Sequence, residues 1–236
     1  WFFSLGWKHL VGLAVCVYAL FPILYIISVA FSDSADINSS LFTSFTFKNF
    51  QELFSGTDPD KPFVAWIVNT VWIASFSSVG SVFLSALAAY SFSRQRFRGR
   101  RGGLLGLILL QMFPSVLGLV AIYTFLSELF TYIPVLGLNS PWGLILVYLG
   151  GSLCGGTYLM YGFFNTVPKE IDEAAKIDGA THAQIYFQII LRLVSPVLAV
   201  QALLSFIGIS SDFILASIVM NKPEQLTLAV GLGSFI

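Results

Sequence analysis

Charge is scarce in this sequence. Of 236 residues, 12 are Lys or Arg and 12 are Asp or Glu, so 10% are charged and the formal net charge is +0. An ordinary soluble domain carries roughly 25%. With 56% of residues hydrophobic and a mean hydropathy of +0.83, such a chain cannot cover itself with solvated side chains. Its apolar surface must face lipid or a large partner. Zero net charge removes any global electrostatic case for nucleic-acid binding. The two cysteines, Cys16 and Cys154, lie in apolar runs and have no CxxC spacing; they read as small packing residues, and no disulfide framework is possible. Two histidines, His9 and His182, provide no HExxH-type metal site. There is no GxSxG for a nucleophile elbow. No glycine precedes a lysine, so there is no Walker A loop and the chain cannot hydrolyse ATP in that way by itself.

What is present is length without charge. Five stretches, 10–31, 63–92, 103–126, 142–164 and 196–220, are long and apolar enough to cross a bilayer core, which takes about 20 helical residues. The fold class that follows is an all-α polytopic membrane protein. The first stretch exceeds the apolar core of a signal peptide and reads as an anchor. The loops orient the chain, because Lys and Arg collect on the cytoplasmic side. Lys8, Arg94, Arg96, Arg98, Arg100, Arg101, Lys169, Lys176 and Arg192 fall on one side, and only Lys48, Lys61 and Lys222 on the other. The acids Asp33, Asp36, Glu52, Asp58, Asp60, Glu128 and Glu224 fall opposite the basic side. The N-terminus is therefore expected inside, with the arginine cluster as a topological anchor at anionic membrane lipid. Five spans starting inside end outside, so 221–236 is expected to begin an outer loop before a sixth span missing from the sequence.

Several polar features punctuate the spans. Gly102 and Gly106, and Gly151 and Gly155 shadowed by Ser152 and Gly156, have helix-packing spacing, and close packing is expected in the fourth span. Pro114 should kink the third span, and Gln111, one turn earlier, either satisfies the freed carbonyl or faces a translocation path. Asp212 is the one formally charged residue within a span and lies near its outer end; it reads as a helix-end or gate contact or, alternatively, a proton relay. Aromatics such as Trp72, Tyr123 and Phe213 read as packing. In the first outer loop "SFTFKNFQELF" predicts a short amphipathic helix capped by Thr46, stapled by Phe45 and Phe50 and carrying a Lys48–Glu52 pair, with Phe47, Phe50 and Phe54 on one face.

The most informative segment is "VPKEIDEAAKIDGATHAQIYFQIILRLVSP", 167–196. Pro168 suits a first helical position, and Glu170, Asp172 and Glu173 favour the positive end of a helix dipole. Asp172 and Lys176 are expected to pair on the outer face, with Ile171, Ala174 and Ala175 forming a small apolar face. Gly179 ends this helix as a C′ residue. Thr181 and Gln184 then have capping-box spacing for a second helix that is apolar on nearly all sides. A charged-edged, alanine-faced helix of this kind can enter a groove on a soluble partner or simply be a solvated loop.

"EAAKIDGA" followed by Ile189 and Leu191 resembles the EAA loop of binding-protein-dependent ABC importer permeases, with Arg192 where the family usually has proline. "SFSRQRFRGRRG", "QMFPSVLGLVAIY", "YIPVLGLN", "VYLGG" and "LTLAVGL" are similar, in that order, to the carbohydrate branch of that family, the maltose/maltodextrin type in particular. The resemblance implies a type I ABC importer permease fold with five spans visible of an expected six, the loop 165–195 being a cytoplasmic coupling element. It implies ATPase coupling through Glu170, Glu173, Ala174, Ala175, Asp178 and Gly179. It also implies contact with an extracytoplasmic sugar-binding protein through Glu224, Gln225, Leu226, Thr227, Leu228, Ala229, Val230 and Gly231. The implied partners are a second permease subunit, two copies of a cytoplasmic ABC ATPase that holds ATP and Mg, and the sugar-binding protein; the chain itself binds no cofactor and is not an enzyme. Two readings of other classes stand beside it. A proton-coupled secondary transporter needs a second intramembrane ionisable partner for Asp212, and a membrane-embedded enzyme needs a catalytic constellation.

Overall fold

The computed structural model describes residues 5–33, 45–56 and 61–235; Asp36, Asp58 and Asp60, assigned above to the outer loop, lie outside them. The chain divides into two compact units, Trp1–Pro59 and Asp60–Ile236. Among the described residues the secondary structure is entirely helical.

The first unit contains α1 (Trp7–Ala30) and α2 (Lys48–Ser55). α1 is apolar on every side and exposed along nearly its whole length, as a helix bathed in lipid should be. The cap position of α2 is Phe47 and not the expected Thr46, which stands one residue earlier and accepts the Lys48 N–H at 3.2 Å. The rings of Phe45, Phe47 and Phe50 gather on Phe31 at 4.8, 5.5 and 5.1 Å. Asn49 donates to the carbonyls of Ala30 and Ser32 at 3.1 and 2.9 Å, tying α2 to the end of α1. Among the described residues Lys48 pairs with Asp33, at 3.6 Å, and not with the expected Glu52, because this docking brings the end of α1 beside the start of α2.

The second unit is built on α3 (Phe63–Arg94) and α6 (Pro141–Thr166), which lie side by side in parallel. Trp72 meets Trp142 near their starts, and Tyr90 meets Phe164 near their ends. The seam is made of small residues: Ser77, Ser78, Ser81, Ser85, Ala86 and Ala89 of α3 are all buried. A side chain on Gly156 would come within 2.5 Å of Ser85 Oγ. Close packing of the fourth span is thus present, but through Gly156; Gly102, Gly106 and Gly151 face open space and Gly155 faces Gln111. Two apolar clusters cap the seam. One joins Tyr90, Phe164, Ile185, Tyr186 and Ile190, and the other joins Ile73, Leu126, Leu144, Ala216 and Met220.

Two of the expected spans differ in detail. The third is broken, not kinked, into α4 (Arg100–Gln111), a 3₁₀ turn at Ser115–Gly118 and α5 (Leu119–Tyr132). α4 ends at Gln111, and Pro114, three residues on, is extended, with φ −60° and ψ 114°, and has no N–H with which to continue the helix. The last span runs without interruption from His182 to Ser210, not from 196 to 220. Its parts are α8 (His182–Gln184), a π segment (Ile185–Ile190) and α9 (Leu191–Ser210). Pro196 does not end it, because the Ser195 hydroxyl donates at 2.8 Å to the Arg192 carbonyl that the proline leaves unpaired. Beyond it come α10 (Ile214–Val219) and α11 (Leu228–Gly233), and α7 (Lys169–Ile177) fills the loop between α6 and α8.

Candidate functional site

The segment 167–196 folds as a helical corner. α7 follows Pro168, which stands one residue before the helix and not at its first position, and Glu170 and Asp172 occupy its first turn. Gly179 has φ +83°. Its N–H donates to the Lys176 carbonyl at 3.0 Å and the Ala180 N–H to the Ala175 carbonyl at 2.9 Å, the two bonds of a Schellman ending. The next turn opens with the expected capping box: Gln184 N–H donates to Thr181 Oγ1 at 3.3 Å and Thr181 N–H to Gln184 Oε1 at 2.8 Å.

The faces of α7 are not those expected. Asp172 points inward and its carboxylate lies 2.7 Å from Arg94 Nε, both side chains being 7% exposed. Arg94 Nη2 also donates to the Val167 carbonyl at 2.7 Å. The last residue of α3 therefore holds both the approach to α7 and its first turn. The Asp172–Lys176 surface pair is replaced by this buried one, because Ala175 and Asp172 together form the packed side. The exposed side is Glu170, Glu173, Ala174 and Ile177, a single stripe at i, i+3, i+4 and i+7; Ile177 is 86% exposed. Of the residues singled out for coupling, Glu170, Glu173, Ala174, Asp178 and Gly179 are exposed, and Ala175 is buried. Arg94 and Ile177 escaped the sequence reading. The arginine was absorbed into the membrane anchor, and nothing in local spacing joins position 94 to 172; the helical period from Glu170 does point to Ile177.

The segment 221–231 lies along the start of α3. Trp66 Nε1 donates to the Pro223 carbonyl at 2.7 Å. Asn69 Nδ2 donates to the carbonyls of Glu224 and Leu226 at 2.9 and 3.2 Å. The Leu228 N–H donates to Thr70 Oγ1 at 2.7 Å. Thr227 and Gly231 are buried, and Gly231 sits flat on the Trp66 ring with no room for a side chain. Gln225, Leu226, Leu228, Ala229 and Val230 are half-buried, so of this segment residues 221–224 protrude most. Nearby, Asp212 lies in the turn between α9 and α10. It accepts the Tyr148 hydroxyl at 2.8 Å and the Leu215 N–H at 3.4 Å, a helix-end contact. Among the described residues no three His, Cys, Asp or Glu side chains converge as a metal site.

Residues 81–236 match the family of binding-protein-dependent transport system inner membrane components. The chain belongs to this family. Its members are the membrane permeases of ABC importers, with ATP hydrolysis in separate subunits, so the chain is a multi-pass inner-membrane permease component and not itself an enzyme. It is 38% identical to the galactooligosaccharides transport system permease protein GanQ of Bacillus subtilis (strain 168), covering 100% of this chain and 81% of that protein. It is 41% identical to the maltodextrin transport system permease protein MdxG of the same organism, covering 92% and 75%. Among solved structures it is similar to a bacterial ABC transporter involved in import of the acidic polysaccharide alginate. There the TM-score is 0.83 at 26% identity, over 98% of this chain and 79% of that one.

Proposed function

We propose that this chain is one of two permease subunits of an ATP-driven importer that moves a sugar, of the maltooligosaccharide or galactooligosaccharide kind, from an external binding protein to the cytoplasm. The observation that carries the reading is the corner at α7. Its outward stripe of Glu170, Glu173, Ala174 and Ile177 has the i, i+3, i+4, i+7 form of a helix that enters a partner's groove, while its inward side is clamped to α3 by Arg94. A cytoplasmic ATPase that holds ATP and Mg supplies the groove, and its closure moves α7, which pulls on α3 through Asp172. Two sites are thereby linked through a rigid element. Ala175 serves this indirectly, as the small residue that lets α7 sit close.

The N-terminus is cytoplasmic in this reading, which the arginines at 94–101 and the lysines of α7 support. At the outer face, residues 221–224 meet the sugar-binding protein, and 225–231 transmit that contact to the start of α3. A second permease completes the path. Relatives named for maltodextrin, galactooligosaccharide and alginate support a carbohydrate cargo. The single intramembrane acid of the sequence reading, Asp212, is held by Tyr148 and a backbone N–H, which speaks against a proton relay.

The test is to purify the chain with its native partners and screen sugars, loaded on the binding protein, for stimulation of ATP hydrolysis. One or more neutral oligosaccharides should stimulate. Transport that persists without the ATPase and collapses with a proton uncoupler would defeat the reading.

A further inference from the structure

The midsection of α6 carries an open groove that the corner and the outer segment leave unexplained. Two cavities of about 750 and 420 Å³ share Gly151 and Ser152 as a common wall. Together they follow α6 from Val147 to Gly162. That stretch of helix spans about 22 Å at 1.5 Å per residue, most of a hydrocarbon core of roughly 30 Å. One rim is the break between α4 and α5, with Gln111 in the first cavity and Ser115 in the second; the other is α9, with Gln201 and Ser205. The floor is bare backbone: Gly151 faces open space, and the Gln111 amide lies 3.0 Å from where a Gly155 side chain would begin.

Three polar side chains in this groove are left unbonded by the protein. The side-chain amides of Gln111 and Gln201 make no hydrogen bond among the described residues, and neither does the Tyr158 hydroxyl. Gln111 therefore does not repair the carbonyl freed by Pro114, which was one of its two expected roles. Each amide offers two donors and an oxygen with two lone pairs. At membrane depth, polar groups and broken backbone persist where they meet protein or line a watered cavity. The smaller cavity is walled mostly by aliphatic side chains and includes Asp212, whose carboxylate already accepts from Tyr148 and the Leu215 N–H. No Asp, Glu, Lys or Arg lines the larger cavity, and its polar atoms are amides, hydroxyls and glycine backbone. That is the complement of an uncharged, hydroxyl-rich molecule, and both volumes fall within the range of ligand sites.

We propose that the α6 groove is this subunit's wall of the solute path, and that Gln111 and Gln201 are its solute-contact residues, donating to and accepting from sugar hydroxyls during passage. The inference rests on the permease reading above and adds the residues that touch cargo.

The experiment uses the whole transporter in proteoliposomes, in a background carrying Cys16→Ser and Cys154→Ala, with Gln201→Cys or Ser152→Cys introduced singly. The probe is a charged, water-soluble methanethiosulfonate reagent, applied with and without turnover on maltotriose or a galactose trisaccharide, whichever stimulates ATP hydrolysis in the unaltered complex. The thiols should react, and turnover with the sugar should slow the reaction. Thiols that never react place a helix of the second permease or lipid in the groove and overturn the proposal; thiols that react without protection overturn it as well. In parallel, Gln111→Leu and Gln201→Leu, which keep volume and remove the amide, should each lower transport kcat/KM by up to about tenfold, the loss of one hydrogen bond, while stimulated ATP hydrolysis is retained. Normal transport by both variants overturns the proposal. If no sugar stimulates the unaltered complex, it is the permease reading that fails, independently of the groove.

Discussion

The two ends of α3 are fastened by different chemistry. At its Arg94 end one arginine meets a carboxylate, both side chains being 7% exposed, and a half-buried carbonyl. At its other end Trp66, Asn69 and Thr70 exchange neutral hydrogen bonds with the backbone of residues 223–228. A buried ion pair is intolerant: with one partner removed, the other charge is stranded. Neutral bonds to a backbone are individually modest and fail one at a time. The difference suits the division of labour proposed above. In that proposal the Arg94 joint is the inner one and transmits force from an ATPase without slipping, and the Trp66 joint is the outer one and adjusts to a binding protein that comes and goes.

The comparison breaks first at the inner joint. Arg94→Ala or Asp172→Ala strands a buried charge, at a cost of about 3 to 5 kcal/mol. Thermal unfolding of the purified complex should shift strongly downward, and Arg94→Met/Asp172→Leu, which removes both charges, should recover most of that shift. Equal shifts in single and double variants would mean that the pair is not energetically coupled. Next in size is the outer packing. Gly231→Ala forces a methyl into the Trp66 ring, an overpacking cost of about 1 to 3 kcal/mol, and should impair uptake from the binding protein more than ATP hydrolysis. Gly179→Val places a β-branched residue at φ +83°, against a penalty of about 1 to 2 kcal/mol, and should lower stimulated hydrolysis while the protein still inserts in the membrane. Smallest is Trp66→Phe, which removes the bond to Pro223 and should cost about 0.5 to 1.5 kcal/mol; increased protease sensitivity near Lys222 is its readout.

The sequence was most legible where structure is local. The Gly179 ending and the Thr181–Gln184 capping box depend on residues within a few positions of one another, and both formed as expected. The apolar runs 10–31, 63–92 and 142–164 marked long apolar helices closely, because hydropathy over 20 residues is itself a local quantity, while the runs 103–126 and 196–220 were displaced by Pro114 and Pro196. What could not be read was every consequence of one helix lying against another. Asp172 looked like the surface partner of Lys176 because that spacing is permitted on any exposed helix; only the docking of α7 on the end of α3 turns it toward Arg94. Gly151 and Gly155 looked like packing residues for the same reason, and the seam instead uses Gly156. Pro196 looked like a helix start because nothing in a proline signals that its neighbour Ser195 will replace the missing donor.

In the proposed mechanism nucleotide-driven movement enters through α7 and passes to α3 across the Arg94–Asp172 pair. The most direct test is sugar-stimulated ATP hydrolysis by the reconstituted complex in Arg94→Asp, Asp172→Arg and the exchanged Arg94→Asp/Asp172→Arg protein. Stimulation lost in each single variant and substantially restored in the exchange is the predicted result; full stimulation in either single variant, in a complex that still assembles, would contradict the claim.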